Sequence, residues 1–256
     1  MDKLTILVTG ASSGFGAAIA RRFVRDGHRV IAAARRQERL QALGDELGAG
    51  LLALPLDVTD AAAAAALPGN LPEGWREVDV LVNNAGLALG MEPAWRASLA
   101  EWETMVATNV LGVMRLTRAL LPGMVERNRG HVVNIGSMAG AYPYPGGNVY
   151  GATKAFVMQF SLNLKADLVG TDVRVTNIEP GMVGGSEFST VRFGGDAARG
   201  ASVYAGARPL TPDDIAEAVA WAVALPAYMN INRLEVMPNC QAPGAMVIKR
   251  SAGPAP

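Results

Sequence analysis

The sequence is poor in the residues on which many catalytic and structural sites depend. Of 256 residues, one is cysteine (Cys240) and two are histidine (His28 and His131). A single cysteine permits no intrachain disulfide and no thiolate cluster for zinc or an iron–sulfur centre. Two isolated histidines argue against a zinc site and against a serine–histidine triad. Each precedes an apolar run and is expected at the entrance of a strand. Lys+Arg and Asp+Glu number 23 each, so the formal net charge is zero. That leaves neither a basic footprint for nucleic acid nor a polybasic membrane surface. No apolar run reaches the length of a membrane span. The apolar start, residues 4–8, is too short for a signal-peptide core and runs into a glycine turn, so it reads as a strand. The cytoplasm is the expected compartment, and no metal is expected.

What is present is an alternation. Short β-rich apolar runs at 4–9, 29–34, 51–56, 79–83, 131–135, 173–178 and 231–237 are separated by segments of helical periodicity. No repeat or interdomain linker interrupts them. This predicts one α/β unit, a doubly wound sheet of seven strands with helices on both faces. Residues 61–66, all alanine, read as a short helix because alanine is the best helix former, and 68–74 as a loop. A long helical pattern over 99–127 contains Pro122, which should kink or divide it. Residues 184–209 read as a long irregular segment, more typical of a lid than of a connector. The tail from 239 is rich in Pro, Gly and Ala.

Several motifs fall at the C-terminal ends of the expected strands, where an open parallel sheet binds ligands. Thr9-Gly10-Ala11-Ser12-Ser13-Gly14-Phe15-Gly16 links the first strand to a helix. A glycine turn there lets backbone N–H groups approach a phosphate at a helix N-terminus. Its Gly-x-x-x-Gly-x-Gly spacing departs from Gly-x-Gly-x-x-Gly but supplies the same parts. After the second strand, where an acidic residue would accept from a free ribose 2′-hydroxyl, stand Arg35 and Arg36. Guanidinium groups match a 2′-phosphate in charge and fork geometry, which favours NADP. Asp57, before Val58, has two open readings: an acceptor for the adenine amino group, or the cap of a helix begun at Thr59-Asp60. Asn83-Asn84-Ala85-Gly86 ends the fourth strand with two carboxamides and two small residues. Asn109 interrupts an apolar helical set, either as an exposed helical Asn or as a carboxamide that bends the helix and holds a water near the site. Ser137 follows the fifth strand without the Gly-x-Ser-x-Gly elbow, so it reads as a hydrogen-bond donor to a substrate oxygen and not a nucleophile. Tyr150 and Lys154 are four residues apart, on one helix face. An ammonium beside a phenol favours the phenolate, making Tyr150 a candidate general acid/base.

Taken together, Gly10/Gly14/Gly16, Asn83-Asn84-Ala85-Gly86, Asn109, Ser137, Tyr150, Lys154 and Pro180-Gly181, in this order, resemble the short-chain dehydrogenase/reductase family. Arg35–Leu40, Asn84–Pro93, Gly146–Tyr150, Glu179–Gly185 and Leu225–Asn232 resemble one branch of it, the NADP-dependent 3-hydroxy acid dehydrogenases, also described as L-allo-threonine or serine dehydrogenases and malonic semialdehyde reductases. The resemblance implies a single-domain Rossmann fold over 1–256, a homotetramer, and a catalytic set of Asn109, Ser137, Tyr150 and Lys154. NADP would be held by Gly10, Ser12, Ser13, Gly14, Phe15, Gly16, Arg35, Arg36, Asp57, Val58, Asn84, Ala85, Gly86, Tyr150, Lys154, Pro180, Gly181 and Val183. The substrate would be a small hydroxy acid, or the corresponding carbonyl compound, contacting Ser137 and Tyr150. Arg192 is the candidate clamp for its carboxylate, on a substrate lid over 184–210. Residues 239–256 form a C-terminal tail with no expected role. The competing functions are an NADPH-dependent reductase of neutral ketones or aldehydes, and an NADP-sensing protein without turnover.

Overall fold

The computed structural model describes residues 3–244, and its elements follow the alternation in the sequence. Strands β1 (Thr5–Thr9), β2 (Arg29–Ala34), β3 (Leu51–Pro55), β4 (Val80–Asn83), β5 (Gly130–Ile135), β6 (Val173–Pro180) and β7 (Arg233–Val236) form one sheet in the order β3-β2-β1-β4-β5-β6-β7. Every pairing is parallel. The helices are α1 (Gly14–Arg25), α2 (Gln37–Leu47), α3 (Ala61–Asn70), α4 (Leu99–Val106), α5 (Val113–Glu126), α6 (Asn148–Asp167), α7 (Phe188–Arg192), α8 (Ala197–Ser202) and α9 (Pro212–Ala224).

The strands read as unbroken apolar runs because both faces of the sheet are covered. Along β1, Ile6 and Val8 enter one core with Phe23, Leu40 and Val219, under α1, α2 and α9. Leu7 points the other way, into a second core with Leu81, Leu116 and Leu164, under α5 and α6. All three are fully buried, each worth about 1.5–3 kcal/mol by apolar transfer. His28 directly precedes β2, and His131 is the second residue of β5, as expected of strand entrances. Strand order reverses between β1 and β4, and that reversal opens a crevice at their C-terminal ends.

Four expectations need correction. Helix α3 continues through Pro68 to Asn70, where a loop was expected, because burial of Leu67 and Leu71 carries its last turn onto the core. Its cap is Asp60, which accepts from the N–H groups of Ala62 and Ala63. Asp57 does not cap it: its Oδ1 accepts instead from Thr59 N (2.9 Å) and Thr59 Oγ1 (2.8 Å). The long helical pattern is divided by a π-helical stretch over Ala107–Gly112 and not by Pro122, which lies within α5. Pro122 and Arg118, whose carbonyl it deprives of a donor, are both exposed to water. Finally, segment 184–210 is not irregular throughout, since it carries α7 and α8.

Candidate active site

Thr9 fastens the ends of β1 and β4 together. Its hydroxyl accepts from the N–H groups of Asn84 (3.0 Å) and Ala85 (2.9 Å), and Asn84 Nδ2 donates to Thr9 O (2.8 Å). Asn83 takes no part: it is buried below, donating to Asn134 Oδ1 and Thr117 Oγ1. The backbone passes so closely here that a Cβ on Gly10 (φ 66°) would stand 3.0 Å from Ala85 Cα. One on Gly16 would stand 2.4 Å from Gly10 O, so Gly16 packs behind the turn.

The crevice, about 340 Å³, is lined on its glycine-turn side by Gly10, Ser12, Ser13, Gly14 and Phe15. Arg35, Arg36, Asp57 and Val58 line one end, and Asn84, Ala85, Gly86, Tyr150 and Lys154 the other. Ser13 sits at the N-cap of α1, yet its side chain caps nothing, and the first turn holds no acidic residue. Its Oγ accepts instead from Arg36 Nη2 (2.7 Å), while Arg36 Nε donates to Ser12 Oγ (3.1 Å). A helix N-terminus without a side-chain cap, hydroxyls and guanidinium groups make a donor set suited to phosphates. Asp57 lies beside it. Burial works against its ionisation, but hydrogen bonds from Thr59, with the charge of Arg35 nearby, outweigh burial and hold the carboxyl below its usual range.

At the other end, α6 presents Tyr150 and Lys154, both buried, on one face. Lys154 Nζ donates to Ile135 O at the end of β5 (2.8 Å) and lies 5.9 Å from the centre of the Tyr150 ring. The turn after β5 lies flat on this helix, for a Cβ on Gly140 would meet the Lys154 carbonyl carbon at 2.7 Å. That apposition brings Ser137 to the site. Its Oγ accepts from Ala139 N (3.1 Å), which leaves its own proton free to be donated. Asn109 projects from the π-helical stretch. Its Nδ2 donates to Leu87 O (2.8 Å) and Thr153 Oγ1 (3.1 Å), and its Oδ1 accepts from Leu87 N (2.9 Å). The side chain thus clamps the loop after β4 onto α6. Gly86, in that loop, is bare enough for a Cβ there to stand 3.2 Å from Asn109 Oδ1 and 3.4 Å from Lys154 Nζ.

For the polypeptide alone, burial pushes the Tyr150 phenol up to about 12. Ser137 draws it down by hydrogen bonding, nearby Tyr144 adds to the rise, and the charge of Arg192 opposes it. Burial also brings Lys154 down to about 8. The expectation that the lysine ammonium lowers the phenol is therefore not met by these two groups on their own. Desolvation dominates both, and Nζ is directed at a backbone carbonyl.

Arg192, at the end of α7, reaches the same corner. Its guanidinium carbon lies 5.6 Å from the Tyr150 ring centre and 5.3 Å from that of Tyr144. Nε donates to Gly90 O (3.2 Å) and Nη2 to Gly146 O (3.5 Å), so two loops distant in sequence meet on one cation. Arg199, also in segment 184–210, lies with its guanidinium carbon 4.4 Å from the Phe193 ring centre. Pro180, Gly181 and Val183 do not line the crevice. Pro180 ends β6, Gly181 N donates to Val236 O (2.8 Å), and Val183 bridges to Leu210. The described part of the tail turns out to dock here: Gln241 Oε1 accepts from Met182 N (2.7 Å). Residues 245–256 lie outside the described residues.

The structure adds residues that the motifs did not single out as site residues. Ser186, Glu187 and Phe188 line the crevice, and the Phe188 ring packs 5.8 Å from that of Tyr150. Phe188 carried a signal, as an aromatic in the expected lid. Glu187, Tyr144 and Gln241 carried none, because nothing in their local sequence tells which distant loop they meet. Among the described residues, no helix is long and apolar enough to cross a membrane, and no cluster of three His, Cys, Asp or Glu could hold a metal ion.

Comparison with known proteins agrees with this fold. The NADP-dependent 3-hydroxy acid dehydrogenase YdfG of Salmonella typhi is 60% identical over 248 residues, 97% of this chain and 100% of that protein. The serine 3-dehydrogenase of Rhizobium radiobacter is 52% identical over 234 residues, 91% of this chain and 93% of the other. Among solved structures, the closed form of a serine dehydrogenase complexed with NADP+ superposes with a TM-score of 0.95 at 58% identity, covering 97% of this chain and 100% of that one. The model of the short chain dehydrogenase family matches residues 4–193, from the start of β1 to the end of α7. With the family's pattern running through three quarters of its length and relatives matched nearly end to end, this chain belongs to the short chain dehydrogenase family.

Proposed function

We propose that the protein is an NADP-dependent dehydrogenase that moves hydride between NADP(H) and a small 3-hydroxy acid or β-hydroxy amino acid of the serine, L-allo-threonine or 3-hydroxypropionate type. The observation that carries this is the placement of Arg192. A guanidinium 5.6 Å from the ring of the candidate acid/base puts a fixed cation beside the reacting centre. A neutral-ketone reductase has no need of one, whereas the carboxylate of a 3-hydroxy acid, two bonds from its reacting carbon, does.

NADP, when bound, supplies the hydride acceptor; the protein's own groups hold the reactants and move the proton. The turn from Gly10 to Gly16, with Ser12, Ser13 and the start of α1, would hold the pyrophosphate, and Arg36, with Arg35 at the rim, the 2′-phosphate. In oxidation Tyr150 as phenolate takes the hydroxyl proton. Ser137, its oxygen fixed by Ala139 N, donates to the same substrate oxygen and steadies developing charge. Lys154 lies beneath the Tyr150 ring, and Asn109 holds the loop that brings Gly86 over Lys154. Segment 184–210 acts as the lid, with Arg192 binding the carboxylate. The same reading makes the protein a cytoplasmic homotetramer. Exposed Val106, Leu111, Met114 and Phe156 support a subunit contact along α4, the π-helical stretch, α5 and α6, and light scattering of the purified protein measures its size.

The test is an NADP-coupled screen of L-serine, L-allo-threonine, 3-hydroxypropionate, 3-hydroxyisobutyrate and neutral alcohols of similar size. Higher kcat/KM on free acids than on their methyl esters is expected. Equal rates on acid and ester would move the assignment to neutral carbonyl compounds. Absence of NADP reduction with all of them would leave a sensing protein.

A further inference from the structure

Three consecutive residues of segment 184–210 cross the whole cofactor crevice. Ser186 lies against the glycine turn, where a Cβ on Gly14 would meet its Cβ at 3.3 Å. Phe188 packs on Tyr150 at the catalytic end. Between them, Glu187 reaches the arginines beside the second strand. Its Oε2 accepts from Arg36 Nη1 (2.8 Å), and its Oε1 lies 2.9 Å from Arg39 Nη1. One carboxylate thus bridges two guanidinium groups, and one of these is already braced by the hydroxyls of Ser12 and Ser13. Hydrogen bonds from Arg36 foremost, with those from Arg39, keep the Glu187 carboxyl below its usual range, so it is anionic at neutral pH.

We propose that Glu187 and the cofactor's 2′-phosphate are alternative occupants of the Arg36–Arg39 pair, which makes Glu187 a determinant of NADP preference and couples the phosphate to the lid. This rests on the assignment of Arg36 to the 2′-phosphate. A carboxylate held between two arginines presents the same charge-assisted, forked contacts that a phosphate would take. Both anions cannot share the pair, since like charges at such range repel. A phosphate carries more charge and more acceptor oxygens than a carboxylate, so it wins the exchange. NAD, which ends in a hydroxyl there, has no charge with which to displace Glu187. Release of Glu187 frees the start of α7, the helix that carries Phe188 and Arg192 against Tyr150. The phosphate, far from the reacting carbon, thereby gains a hold on the residues around the acid/base. Arg39 becomes a second phosphate contact, one helical turn beyond Arg36.

Glu187→Gln keeps the shape of a half-exposed side chain while removing the competing charge. Binding of adenosine 2′,5′-bisphosphate and of 5′-AMP, followed by calorimetry on the purified protein, isolates the phosphate from the chemistry. Two partly exposed ion pairs are given up on exchange, so the substitution should tighten the bisphosphate about three- to tenfold and leave 5′-AMP unchanged within about twofold. In an Arg36→Ala/Arg39→Ala background the gain should vanish. Deuterium uptake across 186–192 should rise in wild type with the bisphosphate and not with 5′-AMP. A bisphosphate affinity in Glu187→Gln that is unchanged or weaker would overturn the proposal and make Glu187 a brace for the arginines. So would equal deuterium uptake with the two ligands. If wild type itself bound both ligands equally, the assignment of Arg36 would fall first, a result distinct from any obtained with Glu187.

Discussion

The two ends of the crevice are built in different ways. At the glycine turn, the site is backbone held by a sheet: Gly10, Ser12, Ser13, Gly14 and Phe15 follow β1 directly, and Asn84 and Ala85 follow β4. Strand register fixes these positions, and Thr9 locks them with three hydrogen bonds. Around Arg192 the site is side chains held by loops. Gly90, Tyr144, Gly146 and Phe188 come from three stretches separated by tens of residues, and none of the four lies in a strand. A rigid sheet edge suits a cofactor that every turnover needs in one pose. Short helices on loops suit a substrate that must enter and leave. Tyr150 stands between, anchored on the long helix α6 yet touched by Phe188 and Arg192.

Substitutions can sharpen or break this contrast. The largest effect is expected at the junction. Tyr150→Phe keeps the ring against Phe188 and removes the proton carrier, so kcat should fall roughly 10²–10⁴-fold with NADP affinity within a few-fold by fluorescence titration. Retention of a tenth of wild-type kcat would remove Tyr150 from the chemistry. At the cofactor end, Arg36→Ala should weaken NADP by about 10–150-fold, the loss of a charge-assisted contact worth about 1.5–3 kcal/mol, and leave NAD nearly unchanged. Equal weakening of both would mean that Arg36 shapes the turn and does not read the phosphate.

At the substrate end, Arg192→Met should lower kcat/KM about tenfold on a hydroxy acid and much less on a neutral alcohol, at the low end for a partly solvated charge contact. An equal loss on both substrates would make Arg192 a packing residue. The same variant carries a pH signature on the neutral alcohol. The charge of Arg192 favours the Tyr150 phenolate; removing it raises the phenol further, so the alkaline rise in oxidation rate should move to higher pH. A limb that stayed in place would disconnect the two groups. The smallest effect is expected where the tail meets the lid base. Gln241→Ala removes one neutral hydrogen bond to Met182 and should cost about 1 kcal/mol in urea unfolding. No change would mean that the tail lies on the site without bracing it.

The same contrast explains what could be read from residue order. The strands are runs of β-branched and aliphatic residues because both faces are buried, and β2 was bounded to the residue. Tyr150 and Lys154 share a face because four residues is about one helical turn. Arg35 and Arg36 follow a strand end, a place that sequence locates well. Where two local preferences competed, packing decided. Pro122 marked a helix break, but it lies with Arg118 on an exposed turn, where solvent can replace the missing donor. The break fell at Asn109 instead, whose side chain is engaged across the chain by Leu87 and Thr153. Pro68 marked a loop, and the burial of Leu67 and Leu71 overrode it.

By itself, then, the sequence determined the alternation of strands and helices, the glycine turn and the shared helix face of Tyr150 and Lys154, all of which depend on contacts within one element or its immediate neighbour. Tertiary structure alone decided that Glu187 bridges Arg36 and Arg39, that Arg192 lies over Tyr144 and Tyr150, and that Gln241 returns to Met182. These meetings join residues as far as 151 apart in sequence, as Glu187 with Arg36 shows. No periodicity or local propensity encodes such a meeting, because its free energy comes from the path of the chain between the partners and not from either residue's neighbours.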